Sequence, residues 1–197
     1  MNYKILHFIS LLLIGLLFQS CLMFQRIRIE DDIVNSSKRI KAEFNYRISQ
    51  EWDSPLILLN QKIVKELKQN SEEQYKVYDF IQLRSNSFKL DNKVFIIVDN
   101  EPFRLEVDSY DSKMIPKLDE KRKEILTSDS TKVSVVTGYE ENQIWDYRIV
   151  YSIDKAIIGK IKSSQNVMLR YYAGPDMITI KLDKYDLDIL KKITEMN

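Results

Sequence analysis

Ser152 and Lys155, three residues apart, form the spacing in this sequence that most directly suggests covalent chemistry. When a serine stands at the start of a helix, a lysine one turn later can take the hydroxyl proton and activate the oxygen as a nucleophile. The same residues have a structural interpretation, in which Ser152 caps the helix, Asp154 favours its positive end and Lys155 is solvated. The sequence favours the structural interpretation.

Two runs of acidic residues, Glu30-Asp31-Asp32 and Glu140-Glu141, are a second candidate for chemistry. Clustered carboxylates can hold a cation or share acid and base roles. Neither run has the alternating acids and central glycine of an EF-hand loop. Exposed turns explain both runs better, so we expect no metal site.

A third group of candidates combines aromatic and basic side chains. Arg170 and Tyr172 share one face of a predicted strand, where they could line a glycan- or peptide-binding surface or pack beside the core. Trp52 and Trp145 could likewise stack on a ligand, although tryptophan is more often a core or rim residue. Packing is the favoured interpretation for all four.

The N-terminus is organised as a secretory signal. Lys4 gives a short positive region, residues 5–18 are apolar with three interruptions, and Gln19-Ser20 form a small polar step. A comfortable membrane span needs roughly 20 apolar residues, which this run does not reach. We therefore expect residues 1–20 to be a signal peptide.

The segment 17–21, Leu-Phe-Gln-Ser-Cys, resembles the lipobox of bacterial lipoproteins. Ser20 and Cys21 match its last two positions, whereas Phe18 and Gln19 replace the usual leucine and small residue. The resemblance implies cleavage before Cys21, acyl chains on that cysteine and permanent attachment to a membrane. Residues 22–29 lack the acidic run that resembles a surface-export signal in some Gram-negative lipoproteins. The resemblance therefore implies a domain that faces the periplasm, and we expect its anchor to lie in the outer membrane.

Histidine and cysteine are nearly absent. His7 and Cys21 are the only ones, and His7 lies in the predicted signal. A mature chain without histidine or free thiol excludes Ser-His-Asp and Cys-His catalysis and zinc held by histidine or cysteine. We therefore expect a protein that is not an enzyme and has no cofactor, with carboxylate or Ser–Lys catalysis as the alternative.

Charge and length predict one domain over residues 21–197. Without the signal, 29 basic side chains balance 29 acidic ones. A neutral chain is not typical of a general nucleic-acid binder. The remaining 177 residues suffice for one domain with a substantial core.

Periodicity and composition predict a chain rich in strands. The predicted strands are 38–48, 56–68, 75–84, 94–98, 103–107, 132–139, 144–151, 166–172 and 177–182. Segment 56–68 also fits a helix, and 109–130 looks like a polar connection with a short helix near 118–125. Ser152 and Asp183 are predicted to cap two C-terminal helices.

The last third therefore has the order strand-strand-helix, twice. This ββα-ββα pattern predicts the α+β class, a mostly antiparallel sheet with the two C-terminal helices packed on one face. The expected role is a non-enzymatic binding or assembly module of the cell envelope. Its partner would be a protein or glycan, in addition to the membrane held by the lipid on Cys21.

The lipid anchor is testable by changing Cys21→Ser. We expect the variant to remain an unprocessed precursor without acyl label, because the lipid and the cleavage both depend on that thiol. Globomycin, which blocks the lipoprotein signal peptidase, should make the longer form of the parental chain accumulate. Normal acyl labelling of the variant would refute the anchor, and an unchanged mass under the drug would favour an uncleaved membrane segment.

Overall fold

Ten strands and two helices make up the computed structural model, which describes residues 26–46, 54–68, 71–84, 86–126 and 131–196. The strands are β1 (Ile27–Asp32), β2 (Ser37–Tyr46), β3 (Leu56–Lys68), β4 (Gln74–Arg84), β5 (Val94–Val98), β6 (Glu101–Leu105), β7 (Val107–Leu126), β8 (Lys132–Ile153), β9 (Val167–Ala173) and β10 (Asp176–Lys181). The helices are α1 (Lys155–Ser163) and α2 (Lys184–Glu195). Within the described residues, neither helix has the length and apolar character needed to cross a membrane.

The strands form two antiparallel sheets. The larger has six strands in the order β1-β2-β3-β4-β8-β7, and the smaller has four in the order β10-β9-β5-β6. Consecutive strands pair as hairpins in β1-β2-β3-β4, whereas β4 pairs with the distant β8 and β5 with the distant β9. The chain therefore passes from the large sheet to the small one, returns to the large sheet for β7 and β8, and ends in the small sheet with β9 and β10.

The core lies between the sheets and is completed by the helices. Alternate residues of β2, β4, β9 and the last third of β8, from Tyr147 onward, are buried, as the period of two of a strand requires. Four tyrosines, Tyr75, Tyr147, Tyr151 and Tyr171, are among the largest fully buried side chains. Helix α2 packs against β2 and α1, and buries Leu187, Leu190 and Ile193 in the same cluster.

The prediction of an α+β fold, with two helices on one face of a single sheet, is wrong. Strands account for 68% of the described residues and helices for 13%, and the strands form two sheets. The error arose between residues 109 and 143. The sequence pattern of segment 109–130 predicts a polar connection with a helix near 118–125, but the described residues of this segment, 109–126, belong to strand β7. The two strands predicted at 132–139 and 144–151 are one strand, β8.

Several local predictions are confirmed. Segment 56–68 is strand β3, and β5 and β6 form the predicted hairpin. The hairpin turns at Asp99 and Asn100, whose φ angles of 45° and 72° are those of a tight two-residue turn. Asp183 caps α2 by accepting a hydrogen bond from the Asp186 backbone N–H at 2.7 Å.

A buried lysine on β3 fastens the end of α2 to the large sheet. The Lys65 side chain is 1% exposed and its Nζ lies 2.7 Å from a Glu73 carboxylate oxygen. The same Nζ donates to the Thr194 carbonyl at 3.2 Å and to the Met196 carbonyl at 2.7 Å. The last carbonyls of a helix lack partners within the helix, so this cation satisfies groups that burial would otherwise leave unsatisfied.

Replacing Lys65→Met should lower the free energy of unfolding by about 2–4 kcal/mol, since it leaves a partly buried carboxylate and two carbonyls without their donor. Urea unfolding followed by circular dichroism measures the change. Lys62→Met on the same strand is the matched control. Lys62 also makes an ion pair, but its side chain is 46% exposed; its loss should cost about 1 kcal/mol or less. Equal losses in both variants would show that Lys65 does not fasten the helix.

Candidate functional site

The outer face of the six-stranded sheet, opposite the core, carries an open groove. We define the outer-face groove by the side chains that line it on four neighbouring strands, which are Glu43, Asn45, Asn60, Lys62, Tyr78, Phe80, Arg148 and Val150. Its volume is about 470 Å³. Because successive side chains of a strand alternate between the faces, these residues are the outward neighbours of core positions on β2, β3, β4 and β8.

The strand registers arrange these side chains in two rows across the sheet. One row is Glu43, Lys62, Tyr78 and Val150. The next row is Asn45, Asn60, Phe80 and Arg148. Directly opposite residues in antiparallel strands have Cβ atoms roughly 4.5–5.5 Å apart, so each row is a continuous surface.

Two aromatic rings form the centre of the groove. Tyr78 and Phe80 are on the same face of β4, and Tyr78 is 43% exposed. Large aromatic side chains normally face the core, and this strand already has Tyr75, Val77 and Ile81 on its buried face. The two rings therefore give the groove an apolar floor with amide groups of Asn45 and Asn60 beside it.

Charges surround the rings unevenly. Lys62 and Glu43 form an ion pair at 2.9 Å, and the Lys62 hydrogen bond holds the pKa of the Glu43 carboxyl below its usual value. Arg148, opposite Phe80, and Lys76, one outward position along β4 from Tyr78, make no ion pair with any described residue. Both are exposed. Arg148 lines the groove and has Asp111 directly opposite it on β7, whereas Lys76 lies outside the lining residues, beside Tyr78 on the same face.

A buried polar cluster lies directly beneath the groove, on the core side of the sheet. The Asp79 carboxylate, between Tyr78 and Phe80 in sequence, accepts hydrogen bonds from the Tyr171 hydroxyl at 2.6 Å and from Gln61 Nε2 at 2.9 Å. Gln61 Nε2 is also 3.1 Å from the Tyr151 hydroxyl oxygen. Burial raises the pKa of Asp79 to about 6, although hydrogen bonds from Tyr171, Gln61 and Tyr151 act in the opposite direction.

A carboxyl group with such a pKa would suit acid or base catalysis if a substrate could reach it. Asp79 is 3% exposed, and Gln61, Tyr151 and Tyr171 around it are equally buried. Tyr171 belongs to the small sheet and the other three residues to the large one. The arrangement therefore couples the two sheets and does not offer a reacting group to the groove.

The residues singled out from the sequence do not converge on one site. Cys21 and Trp52 lie outside the described residues. The Ser152 hydroxyl donates to Asp108 at 3.1 Å, and Lys155, the first residue of α1, is exposed. The prediction that Ser152 caps α1 is wrong, since Asp154 takes that position without a side-chain bond to the helix.

Arg170, Tyr172 and Trp145 are packing residues in this structure. Arg170 Nε donates to the Thr179 hydroxyl at 3.1 Å, and Tyr172 meets Phe95 edge to face at 5.8 Å. Trp145 stacks on Tyr147 at 6.1 Å. As predicted, Arg170 and Tyr172 share the half-buried face of β9. They lie on the small sheet and Trp145 on the large one, away from the groove.

Sequence reasoning missed the groove residues, although one signal was present. In segment 75–84, the buried set begins at Tyr75 and continues at every second residue, so Tyr78 and Phe80 are aromatic residues on the polar face. Large apolar side chains on a solvated face often mark a binding surface. Within the described part of the chain, no three His, Cys, Asp or Glu side chains are placed to hold a metal ion.

The Asp79 cluster generates a pH prediction. In the unfolded chain Asp79 ionises near its ordinary pKa of 3.8, whereas in the fold it ionises at about 6. The folded state therefore holds an extra proton between these values, and stability falls as pH rises through this range. The shift corresponds to about 3 kcal/mol, lost in full above pH 6. Asp79→Asn, which does not ionise, should lack this loss.

The measurement is the free energy of unfolding of both proteins between pH 4 and 7. The free energy of unfolding of the parent is subtracted from that of the variant at each pH. This removes the contribution of carboxylates such as Glu43, whose lowered pKa changes stability with pH in the opposite direction. The exposed Asp111 provides the control Asp111→Asn, which should keep the parental pH dependence. Parallel curves for Asp79→Asn and its parent would contradict the prediction.

Comparison of the chain with protein-family models, curated proteins and solved structures finds no significant match.

Proposed function

We propose that this chain is a lipid-anchored binding module of the bacterial cell envelope whose outer-face groove holds an acidic glycan. The observation that supports this most is the pair of rings, Tyr78 and Phe80, on a sheet face that is otherwise polar. Side-chain amides and the Arg148 guanidinium lie beside them, and Lys76 lies one outward position further along β4. An acidic glycan of the envelope has apolar sugar faces that can stack on the rings and hydroxyl groups that can bind the amides. Its negative charge would lie next to the basic side chains.

The position of the groove favours a glycan over an extended peptide. A peptide that joins a sheet binds through main-chain hydrogen bonds at an edge strand. The rings lie on β4, which has β3 on one side and β8 on the other, so its backbone groups are already paired. A ligand here must be recognised through side chains, by stacking on aromatic rings and by hydrogen bonds to amide groups.

The anchor part of the proposal is supported by the signal that precedes Cys21. Strand β1 begins at Ile27, six residues after this cysteine. Since an extended chain covers at most about 3.6 Å per residue, the sheet would lie within roughly 20 Å of the lipid. A module held this close would encounter ligands near the membrane surface.

Replacing Tyr78→Ala should weaken glycan binding about tenfold, because stacking on one ring is worth about 1.4 kcal/mol or slightly less. The test incubates the detergent-solubilised full chain with insoluble peptidoglycan and quantifies bound and free protein. Arg148→Gln should weaken binding similarly and reduce its salt dependence. Tyr172→Ala, on the small sheet, is the control that should bind like the parent.

Two results would decide against the glycan. Parental protein that does not sediment with peptidoglycan, or Tyr78→Ala that sediments equally well, would remove the support for a glycan in the groove. A photo-crosslinking residue at position 78 then identifies the occupant in membranes, and a protein adduct there would replace the glycan with a protein partner.

A further inference from the structure

The last two strands of the large sheet extend beyond it as a two-stranded ribbon. Arg84 is the final residue of β4 to pair with β8, opposite Ile144. Residues 132–143 of β8 therefore pair only with β7. We call residues 116–126 and 132–143 the β-arm. Its β7 side is a sheet edge, and no described strand pairs with it.

The β-arm exposes large apolar side chains on β7. Met114 at its base is 43% exposed, Leu118 is 66% exposed and Leu126 is 69% exposed. All three are even-numbered and so share one face of the strand, while Ile125 on the other face is 43% exposed. A ribbon of two strands with exposed apolar groups and a free edge is marginally stable alone and is suited to pairing with another strand.

We propose that β7 of the β-arm pairs antiparallel with β7 of a second copy of this chain, about a twofold axis at Lys121. A twofold axis perpendicular to the sheet leaves each face of β7 on the same side in both copies. Residues that lie directly opposite each other must therefore both be even-numbered or both be odd-numbered, and their numbers add to an even sum. Centred on Lys121, this pairing opposes Glu120 to Arg122 and Asp119 to Lys123 of the second copy. By symmetry each contact occurs twice, which gives four pairs of opposite charge.

Neighbouring registers lack this charge complementarity. Moving the axis to Glu120 opposes Lys117 to Lys123, and moving it to Arg122 opposes Lys121 to Lys123. Like charges directly opposite each other destabilise a strand pair. In the proposed register only Lys121 meets itself, and its Nζ already lies 3.1 Å from a Glu140 carboxylate oxygen.

The same register brings the exposed apolar residues together. Leu126 lies opposite Pro116 of the second copy and diagonal to its Met114 and Leu118. Diagonal neighbours are roughly 7–8 Å apart and within reach of long side chains. Within each chain Glu120 already pairs with Arg122 at 2.7 Å and Asp119 with Lys117 at 3.0 Å. Pairing adds a second opposite charge to Glu120, Arg122 and Asp119 and a first one to Lys123. The same register covers the most exposed apolar side chain of β7.

Edge strands are often protected from pairing by lysine and proline, both of which β7 contains. Lysines protect an edge when an approaching copy meets its own positive charge. Here Lys123 would meet Asp119 and not another lysine. Pro116 removes one donor close to the end of the paired segment, where its effect is smallest.

A cysteine at the axis tests the geometry in membranes that contain the full chain. Directly opposed residues have Cα atoms roughly 4.5–5.5 Å apart, which suits a disulfide. Lys121→Cys should therefore form a disulfide-linked dimer under mild oxidation. Lys117→Cys is the matched control, since both side chains are more than half exposed, at 54% and 59%. In the proposed register two cysteines at 117 are eight residues out of alignment and should not link; the parent gives the background from Cys21.

Charge reversal tests the partner. Asp119→Lys and Lys123→Asp should each weaken self-association about tenfold, since each turns two attractive pairs into repulsive ones. Co-expressed with different tags, the two variants should co-purify as well as two parental chains do. Within one chain these positions are four residues apart on a strand, so recovery requires a second copy and shows that both variants fold.

Two results would overturn the proposal. One is equal cross-linking by cysteines at 117 and 121, and the other is a mixed pair that associates no better than either variant alone. Neither result bears on the groove, because Asp119 and Lys123 do not line it.

Discussion

The hydrogen bond between the Tyr171 hydroxyl and the Asp79 carboxylate, at 2.6 Å, fixes how the two sheets face each other. Burial of apolar surface drives the sheets together but does not choose among orientations, because it has no direction. A buried carboxylate does choose, since leaving it without donors costs several kcal/mol. Any sliding of β9 over β4 would separate this pair. Leu90, which bridges to Ala173 of β9, also hydrogen-bonds Tyr147 and Tyr110 of the large sheet and opposes the same movement.

The same contact has consequences for the outer face. Asp79 directs its side chain into the core, and strand geometry then directs Tyr78 and Phe80 to the opposite side. Lys65 acts similarly near the other end of the core, where it holds the α2 terminus against β3. With the inner face held at these two points, the groove lies on four strands that each have a paired strand on both sides. Such a surface can recognise a ligand without first becoming ordered.

The sequence predicts this fold well where one face of a strand is wet and the other dry. Strand β2 shows that alternation, and Asp183 marks the start of α2 by its capping chemistry. The prediction failed where both faces are solvated, as in the β-arm, because no alternation distinguishes such a strand from a polar connection. An extra residue in β8, between Gly138 and Val136, also shifts its parity and hides the continuity of the strand.

The division into two sheets and the position of the groove could not be predicted from the sequence, for a different reason. Both depend on pairings between distant segments, such as β4 with β8, and periodicity says nothing about which strands meet. Ser152 and Lys155 are only three residues apart in sequence and therefore stood out, yet they do not meet in the fold. The groove residues come from four strands and become neighbours only through the register. Tyr78 and Phe80 were the part that the pattern of one strand alone could have revealed.

The registers also relate the β-arm to the membrane. Ile27, at the start of β1, lies in a row that crosses the whole large sheet. The other residues of this row are Ala42, Ile63, Val77, Tyr151 and Val107. The β-arm extends beyond this row on the side of the sheet where β1 begins. Five strand-to-strand steps separate β1 from β7, and a twist of about 20–25° per step turns the β-arm by roughly 100–125°. If Cys21 carries the lipid and β1 rises from the bilayer, the β-arm runs nearly parallel to it. Two chains anchored in one membrane would then meet arm to arm, at the raised effective concentration that shared attachment provides.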